Sequence, residues 1–252
     1  MKITTAARTE VPKPQPIPVE PDNIPDELKS LNRWIFWSWS PRGKKWDKPP
    51  LRADGRGSAK SNDPETWCSF AEALKQHQAG KFDGIGFILN APGETVYVGV
   101  DFDDCLDANQ AVTGIANKGL QLLDSYSEMS PSGKGVKLIC KGQLPPGKKA
   151  DHELGVEMYA TGRYFTITGH QWAEAPSEVM ERARMVRVFH SMVFGPREQK
   201  PPSTNYGSSK ERDIRVAREA LEALGSPKAD GYYDWLGVGM VLHDVDDSLL
   251  PD

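Results

Sequence analysis

The order of apolar segments along the chain predicts an α+β protein, in which helices pack on mixed sheets and a small helical module follows. The first strand segment is dense in aromatic residues, and the late strands follow one another closely, as in hairpins. Strands are predicted at 33–39, 84–89, 96–102, 136–140, 155–159 and 164–168. Helices are predicted to begin at Asn62 or Asp63, to occupy 111–126 and to follow Ser177.

Four regions are predicted along the chain. Residues 1–25 contain six prolines in polar surroundings and are interpreted as a disordered leader. The main domain is placed at 26–194 and a linker at 195–209. A capping box at Ser208–Glu211 begins a helical module over 210–252. Because two helices bury little surface alone, we expect the chain to be a piece of a longer protein.

The composition excludes several classes of protein. The 252-residue sequence contains no run of about 18 apolar residues, so a membrane-spanning protein is excluded. Its three cysteines lie far apart without a C-x-x-C pair, which excludes a disulfide scaffold or a cysteine-rich zinc site and suits a reducing cytoplasm. A net charge of −4 excludes a surface that is basic throughout, but it is compatible with a local basic patch.

Basic residues cluster in two places. Seven lie between Arg42 and Lys60, and a second cluster comprises Lys141, Lys148 and Lys149. Such clusters are typical of nucleic-acid-binding surfaces, although solvated loops without a partner have the same composition. The residues selected as candidate DNA contacts are Lys44, Lys45, Lys48, Lys148 and Lys149.

An apolar strand segment ends in two carboxylates, Asp101 and Asp103. Because strand side chains alternate, both should lie on the same face of the sheet. Like charges at this spacing repel each other unless a cation lies between them, and ligands that are all oxygen favour Mg²⁺ or Mn²⁺ over zinc. A solvated strand end is the alternative for a bare Asp-x-Asp pattern.

Two further segments could complete a site for a phosphorylated ligand. The turn 130–135 reads Ser-Pro-Ser-Gly-Lys-Gly, and its N–H groups and lysine could cradle a phosphate, although an ordinary hairpin explains it as well. Glu157 stands in the apolar strand segment 155–159. A carboxylate is costly to bury unless it is paired or bound to a metal, which makes Glu157 a candidate third acid. A solvent-facing position is the alternative.

Taken together, the sequences VGVDFD (98–103), SPSGKGVK (130–137) and GVEMYATGRYFTITGH (155–170) resemble the primase-polymerase domains of phage and plasmid replication proteins, in the archaeo-eukaryotic primase superfamily. The resemblance covers roughly residues 26–193, including the Trp-rich strand, the Lys-Pro-Pro segment and the Asp-Pro-Glu-Thr-Trp helix start. Segment 210–252 is similar to the small helical primase C-terminal module, beyond which a helicase usually lies.

The resemblance implies an RRM-like catalytic core that joins nucleotides by two-metal catalysis. It implies that Asp101, Asp103 and Glu157 hold two Mg²⁺ or Mn²⁺ ions. The implied partners are a single-stranded DNA template, a primer, ribo- or deoxynucleoside triphosphates and a helicase region of the full-length chain, in the cytoplasm of a bacterial host, with no membrane. Tyr159 could stack on the nucleotide sugar, with core packing as an equal alternative. The implied nucleotide contacts are Ser132, Gly133, Lys134, Gly135, Lys137, Tyr159, Arg163 and His170.

Lys137 departs from the family pattern, because it stands where the family has a histidine that faces the phosphates of the nucleotide. Lysine supplies the positive charge as a flexible point charge, and strand alternation away from Val136 and Leu138 predicts that its side chain points into the site. The alternative function is a non-catalytic single-stranded DNA- or origin-binding module that retains the fold. A haloacid-dehalogenase-like phosphatase is a third hypothesis, but it needs Thr or Val where Cys105 stands.

Overall fold

Two antiparallel sheets and a separate hairpin form the framework of the described residues, 12–43 and 45–195 of the computed structural model. The strands are β1 (Trp34–Trp37), β2 (Ser40–Arg42), β3 (Lys45–Asp47), β4 (Pro50–Leu51), β5 (Gly84–Ile88), β6 (Tyr97–Phe102), β7 (Ser127–Met129), β8 (Val136–Lys141), β9 (Ala150–Asp151), β10 (Val156–Tyr159) and β11 (Tyr164–Ile167). The helices are α1 (Asp26–Lys29), α2 (Phe70–Gln78), α3 (Gly114–Leu123) and α4 (Ala183–Phe194). This architecture confirms the predicted α+β fold class.

Strand β6 lies at the centre of the larger sheet. The strand order is β7-β8-β6-β10-β9 in the five-stranded sheet and β11-β5-β1-β4 in the four-stranded sheet, while β2 pairs with β3. Two hydrophobic cores cover the two faces of the five-stranded sheet. The core beneath α3 and α4 includes Val98, Val100, Phe102, Leu122 and Phe189. The core shared with the four-stranded sheet includes Tyr97, Ile139, Trp34, Phe87 and Phe165.

The described part of the predicted leader, residues 12–25, packs against the domain instead of being disordered. Ile24 is 2% exposed and belongs to the core between the sheets. The N–H of Glu20 donates to the carbonyl of Thr168 at 2.7 Å. A proline-rich composition indicates an extended backbone. Composition alone does not reveal that this extended segment pairs with the backbone of Thr168 and inserts the side chain of Ile24 into the core.

Two predicted helix starts are wrong. Asp63 caps only the short 3₁₀ turn Pro64–Thr66, because the next residues pair with β1. There Cys68 exchanges two backbone hydrogen bonds with Trp34, at 3.1 and 2.8 Å, and α2 begins only after this pairing. The helix expected to follow Ser177 begins later, with α4.

Parts of three predictions lie outside the described residues. They are the beginning of the leader, the linker beyond Gly195 and the helical module at 210–252. Within the described ranges, no helix is long and apolar enough to cross a membrane.

Candidate functional site

A row of charged side chains crosses the five-stranded sheet on the face that carries Tyr97. Asp101 of β6 lies opposite Lys137 of β8 and opposite Glu157 of β10. Glu128 of β7 also lies opposite Lys137 and extends the row. Because directly opposite residues in antiparallel strands share a face, the register brings together three residues that the sequence places in separate motifs.

Lys137 and Asp101 form an ion pair at the centre of the row. The Nζ of Lys137 donates to Oδ2 of Asp101, and the two side chains are 9% and 20% exposed. Within the described residues, Oδ1 of Asp101 is buried and has no hydrogen-bond partner. The sequence predicted a cation among the carboxylates, and the cation that contacts Asp101 in this structure is the lysine ammonium.

Asp103 follows directly after β6 and is tied to the segment before β10. Its N–H donates to the carbonyl of Gly155 at 2.8 Å. Burial raises the pKa of Asp103, and the neighbouring charge of Asp101 raises it further. Both effects penalise the ionised form, which is the form that a bound cation would stabilise.

A cavity of about 800 Å³ lies over the charged row. Its size falls within the range of ligand-binding clefts. The five-stranded sheet and its ends contribute Asp101, Asp103, Lys137, Glu157 and Tyr159, and the four-stranded sheet and its connections contribute Lys48, Lys60, Arg163, Tyr164 and Thr166. The side chain of Lys137 therefore lines the site, as its strand position predicted.

Tyr159 and Arg163 form one side of this cavity. The guanidinium carbon of Arg163 lies 5.1 Å from the centroid of the Tyr159 ring. Tyr159 follows Glu157 by two residues and therefore shares its face of the sheet. Burial, followed by the charge of Glu157, raises the pKa of the Tyr159 hydroxyl. The structure thus places these two predicted nucleotide contacts beside the carboxylates.

The turn between β7 and β8, by contrast, does not line the cavity. The N–H of Gly133 donates to the carbonyl of Ser130 at 2.9 Å, and the N–H of Gly135 donates to Ser130 Oγ at 3.2 Å. These hydrogen bonds occupy two of the N–H groups that the predicted phosphate cradle would need. Ser132 and Lys134 are exposed and are also absent from the cavity lining.

His170 is held by the N-terminal segment rather than by the cavity. Its Nε2 lies 2.7 Å from the carbonyl oxygen of Pro18, and its Nδ1 lies 3.4 Å from Oε1 of Glu20. The structure therefore does not bring this predicted nucleotide contact to the carboxylates. Sequence reasoning did not find this contact, because it expected residues 1–25 to be disordered.

The predicted DNA-binding lysines do not form one surface. Lys48 lines the cavity, whereas Lys45 is exposed on the β2–β3 hairpin. Lys148 and Lys149 precede β9 and do not line the cavity. Lys44 lies outside the described residues. The basic segment 42–60 therefore divides into a cavity-facing part and an outer part.

Sequence reasoning missed Glu128, which is 1% exposed. Its carboxylate accepts the Tyr126 hydroxyl at 2.6 Å and the N–H groups of Thr168 and Gly169 at 2.9 Å each. Burial raises the pKa of Glu128. The Tyr-x-Glu spacing before the turn could have indicated that Tyr126 and Glu128 share one face of a strand.

The acidic residues fit a divalent cation by their chemistry. Carboxylate oxygens are the ligands that Mg²⁺ and Mn²⁺ prefer, and a cation would supply the partner that Oδ1 of Asp101 lacks among the described residues. In that same part of the chain, no group of three or more His, Cys, Asp or Glu side chains is already arranged to hold a metal ion. A cation that binds both oxygens of Asp101 would have to displace Lys137 from Oδ2, whereas Oδ1 is not occupied by the lysine.

Fold and cavity together define a class: an α+β protein whose site combines carboxylates with lysine and arginine, which suits a polyanionic ligand bound together with cations. Consistent with that class, the chain is 34% identical over 150 residues to the "DNA Primase-polymerase" of Nitratiruptor phage NrS-1. The match covers 56% of this chain, and the chain spans about a fifth of the length of this relative. No protein-family model matches the chain. The predicted resemblance to phage primase-polymerases is confirmed, and the C-terminal helical module stays a prediction.

Proposed function

We propose that this chain carries a DNA-templated nucleotidyl transferase, a primase and DNA polymerase that starts or extends chains on single-stranded DNA. The observation that carries the proposal is the row of Asp101, Lys137 and Glu157, which the strand register fixes beneath the cavity. The similarity to a phage primase-polymerase supports the same reaction.

In this proposal the carboxylates of Asp101, Asp103 and Glu157 hold Mg²⁺ or Mn²⁺. The bound cations would activate the primer 3′-hydroxyl and stabilise the charge of the triphosphate. Before the cations bind, Lys137 neutralises the charge of Asp101. Once they are bound, its ammonium contacts a phosphate of the nucleotide. Because its side chain is 9% exposed, this contact forms in a partly desolvated site, where a charge-assisted hydrogen bond is strong.

The remaining cavity residues orient the substrates. The ring of Tyr159, beneath the guanidinium of Arg163, provides a flat surface on which the nucleotide sugar or base can pack. The exposed Lys45 on the β2–β3 hairpin would attract the template backbone electrostatically. Nucleotide chemistry in the cavity and template binding at the hairpin are thus separate tasks of neighbouring segments.

A primer-extension assay with Mg²⁺ or Mn²⁺ tests the proposal. We expect the wild-type chain to incorporate nucleotides on a single-stranded template and Glu157→Gln to lose this activity, because the substitution keeps the shape but removes the charge. Glu174→Gln is the matched control, since Glu174 is exposed and does not line the cavity. A gel shift on single-stranded DNA without any synthesis by the wild-type chain would instead support the non-catalytic DNA-binding alternative.

A further inference from the structure

Lys48 is held from both ends at the edge of the cavity. Its carbonyl accepts the hydroxyl of Tyr164, which anchors the backbone between β3 and β4 to β11. Its Nζ lies 4.5 Å from the centroid of the Trp39 ring, where a cation–π contact fixes the side chain. Lysine side chains lose considerable rotamer freedom when they are ordered, so a lysine fixed in this way before a ligand binds is pre-organised.

The ammonium of Lys48 differs from that of Lys137 in its partners. Lys137 is paired with Asp101, whereas Lys48 makes no ion pair within 4.0 Å in the part of the chain that the structure describes. Burial lowers the pKa of Lys48, and the neighbouring charge of Lys137 lowers it further. Besides Lys137, the cavity therefore holds a partly buried ammonium that no carboxylate of the described residues contacts.

A second feature of the same cavity indicates a missing ligand. Thr166 is 4% exposed and lines the cavity, yet its Oγ1 is buried without a hydrogen-bond partner among the described residues. Thr166 follows Tyr164 by two residues in β11, so both lie on one face of that strand. A buried hydroxyl without a partner is costly, and a ligand with acceptor oxygens would satisfy it.

We propose that Lys48 and Thr166 form a phosphate-binding subsite for the triphosphate of a nucleotide, across the cavity from Asp101 and Asp103. The subsite rests on the proposed function in that its ligand is the nucleotide substrate. A triphosphate suits the position because it carries several acceptor oxygens and negative charges, which the ammonium of Lys48 and the hydroxyl of Thr166 can bind at once. In this proposal Lys48 binds the nucleotide rather than the DNA template, whereas the exposed Lys45 is still a predicted template contact.

Binding experiments without a DNA template test this assignment, because no synthesis occurs. The affinities of the wild-type chain and of Lys48→Met for dATP and dAMP are measured by isothermal titration in Mg²⁺. We expect Lys48→Met to weaken dATP binding at least about tenfold, as for a lost charge-assisted contact, and to change dAMP binding less than about twofold. Lys48→Arg should retain most of the dATP affinity, and Thr166→Val should reduce it without changing dAMP binding.

The matched control is Lys75→Met, which removes the same charge from an exposed position on α2. The salt dependence of single-stranded DNA binding is measured in parallel. We expect Lys48→Met to leave the log–log slope unchanged, whereas a template phosphate contact would reduce it by about 0.7. A reduced slope, or a dATP affinity within twofold of wild type, would overturn the subsite.

The test also separates this proposal from the reaction proposed above. If the wild-type chain binds dATP but does not extend primers, the proposed polymerase function is wrong. The dATP affinities of wild type and Lys48→Met then still decide whether Lys48 belongs to the subsite. If the wild-type chain does not bind dATP, both proposals are wrong. Should Lys48→Met melt well below wild type, Lys48→Arg and Thr166→Val decide the assignment, since both keep the packing of their sites.

Discussion

The charged row on the five-stranded sheet and the turn between β7 and β8 differ in their relation to the cavity. The carboxylates Asp101 and Glu157 were predicted to hold cations and the turn to cradle the phosphates of a nucleotide, but only the row lines the cavity. In the row, Asp101, Lys137 and Glu157 meet beneath one cavity because three strands pair in fixed register. In the turn, the N–H groups of Gly133 and Gly135 are bound by Ser130. A motif in paired strands is thus positioned by the sheet, whereas a turn can satisfy its own polar groups.

This difference predicts that substitutions in the charged row lower primer extension strongly, whereas substitutions in the turn change it little. The loss caused by a substitution in the row is the largest effect we expect. Asp101→Asn should lower primer extension by about 10²–10³-fold, as for the loss of one charged group that stabilises a transition state. Ser132→Ala and Lys134→Ala should each change the rate less than about threefold, because neither side chain lines the cavity. Steady-state primer-extension rates in Mg²⁺ measure the effect of Asp101→Asn and of the two turn variants. A turn variant as inactive as Asp101→Asn would contradict this prediction and would indicate that the turn contacts the nucleotide.

Gly135 tests whether the turn is needed for structure. A Cβ at this position would lie 2.3 Å from the carbonyl oxygen of Phe102, so alanine would force β8 away from β6. We expect Gly135→Ala to lower the free energy of unfolding by about 1–3 kcal/mol, as for other overpacked sites. Urea unfolding in the absence of metal measures the change.

Gly133→Ala is the matched control in the same turn. Gly133 has a φ of +70°, and among the described residues only Met129 Sδ would lie near an added Cβ, at 4.0 Å. Its substitution should therefore cost about 1 kcal/mol, for the left-handed backbone alone. Equal losses in the two variants would argue against the close contact with Phe102.

Sequence reasoning succeeded where one-dimensional periodicity determines three-dimensional position. The alternation of strand side chains predicted that Lys137 points away from Val136 and Leu138, and its side chain lines the cavity whereas those two residues belong to the core beneath α3 and α4. It could not predict the ion pair between Lys137 and Asp101, because strand order is set by contacts between segments distant in sequence. The strand order β8-β6-β10 is what brings these residues together.

Two of the failures have a shared physical cause. The leader was expected to be disordered, but Ile24 enters the core between the sheets and Glu20 pairs with Thr168. The helix expected at Asp63 gives way to a pairing between Cys68 and β1. In each case a tertiary contact overrides a local preference. The strands β2, β3, β7 and β9 were missed for a different reason, because two or three residues are too few to show an alternating pattern.

Lys137 offers a sharper test of the row, with an effect of about tenfold. Lys137→Met removes the ammonium that contacts Oδ2 of Asp101, so both oxygens of this carboxylate become available to a cation. We therefore expect Mn²⁺ to bind about tenfold more tightly in the absence of nucleotide, equivalent to about 1.4 kcal/mol. Isothermal titration with Mn²⁺ alone measures this change. Lys134→Met removes a lysine from the turn and should leave Mn²⁺ binding unchanged. An unchanged affinity in Lys137→Met would show that Lys137 does not compete with the ion for Asp101.

The smallest expected effect concerns Glu128, where the row meets the segment that leads to His170. Burial raises the pKa of Glu128 above its ordinary value of 4.5, so folding favours the protonated carboxyl. For a group whose pKa rises on folding, the contribution to stability is complete below the ordinary pKa and is lost as pH rises through the folded-state pKa. The wild-type chain should therefore lose this contribution on going from acidic to neutral pH.

Glu128→Gln isolates that contribution because glutamine does not titrate. Glu128 accepts from Thr168 at one oxygen and from Tyr126 and Gly169 at the other. Glutamine has an NH₂ group at one of these two positions and cannot accept there. The variant should therefore be less stable than wild type by about 1 kcal/mol at acidic pH. This gap in the free energy of unfolding between wild type and Glu128→Gln should narrow as pH rises, because only wild type then has a buried charge at this position. Urea unfolding between about pH 4 and pH 9 measures it, with the exposed Glu174→Gln as a control that shows no such trend. A gap that widens with pH would mean that the ionised form is favoured, and that Glu128 acts as a second counter-ion of Lys137 rather than as a neutral link between the sheets.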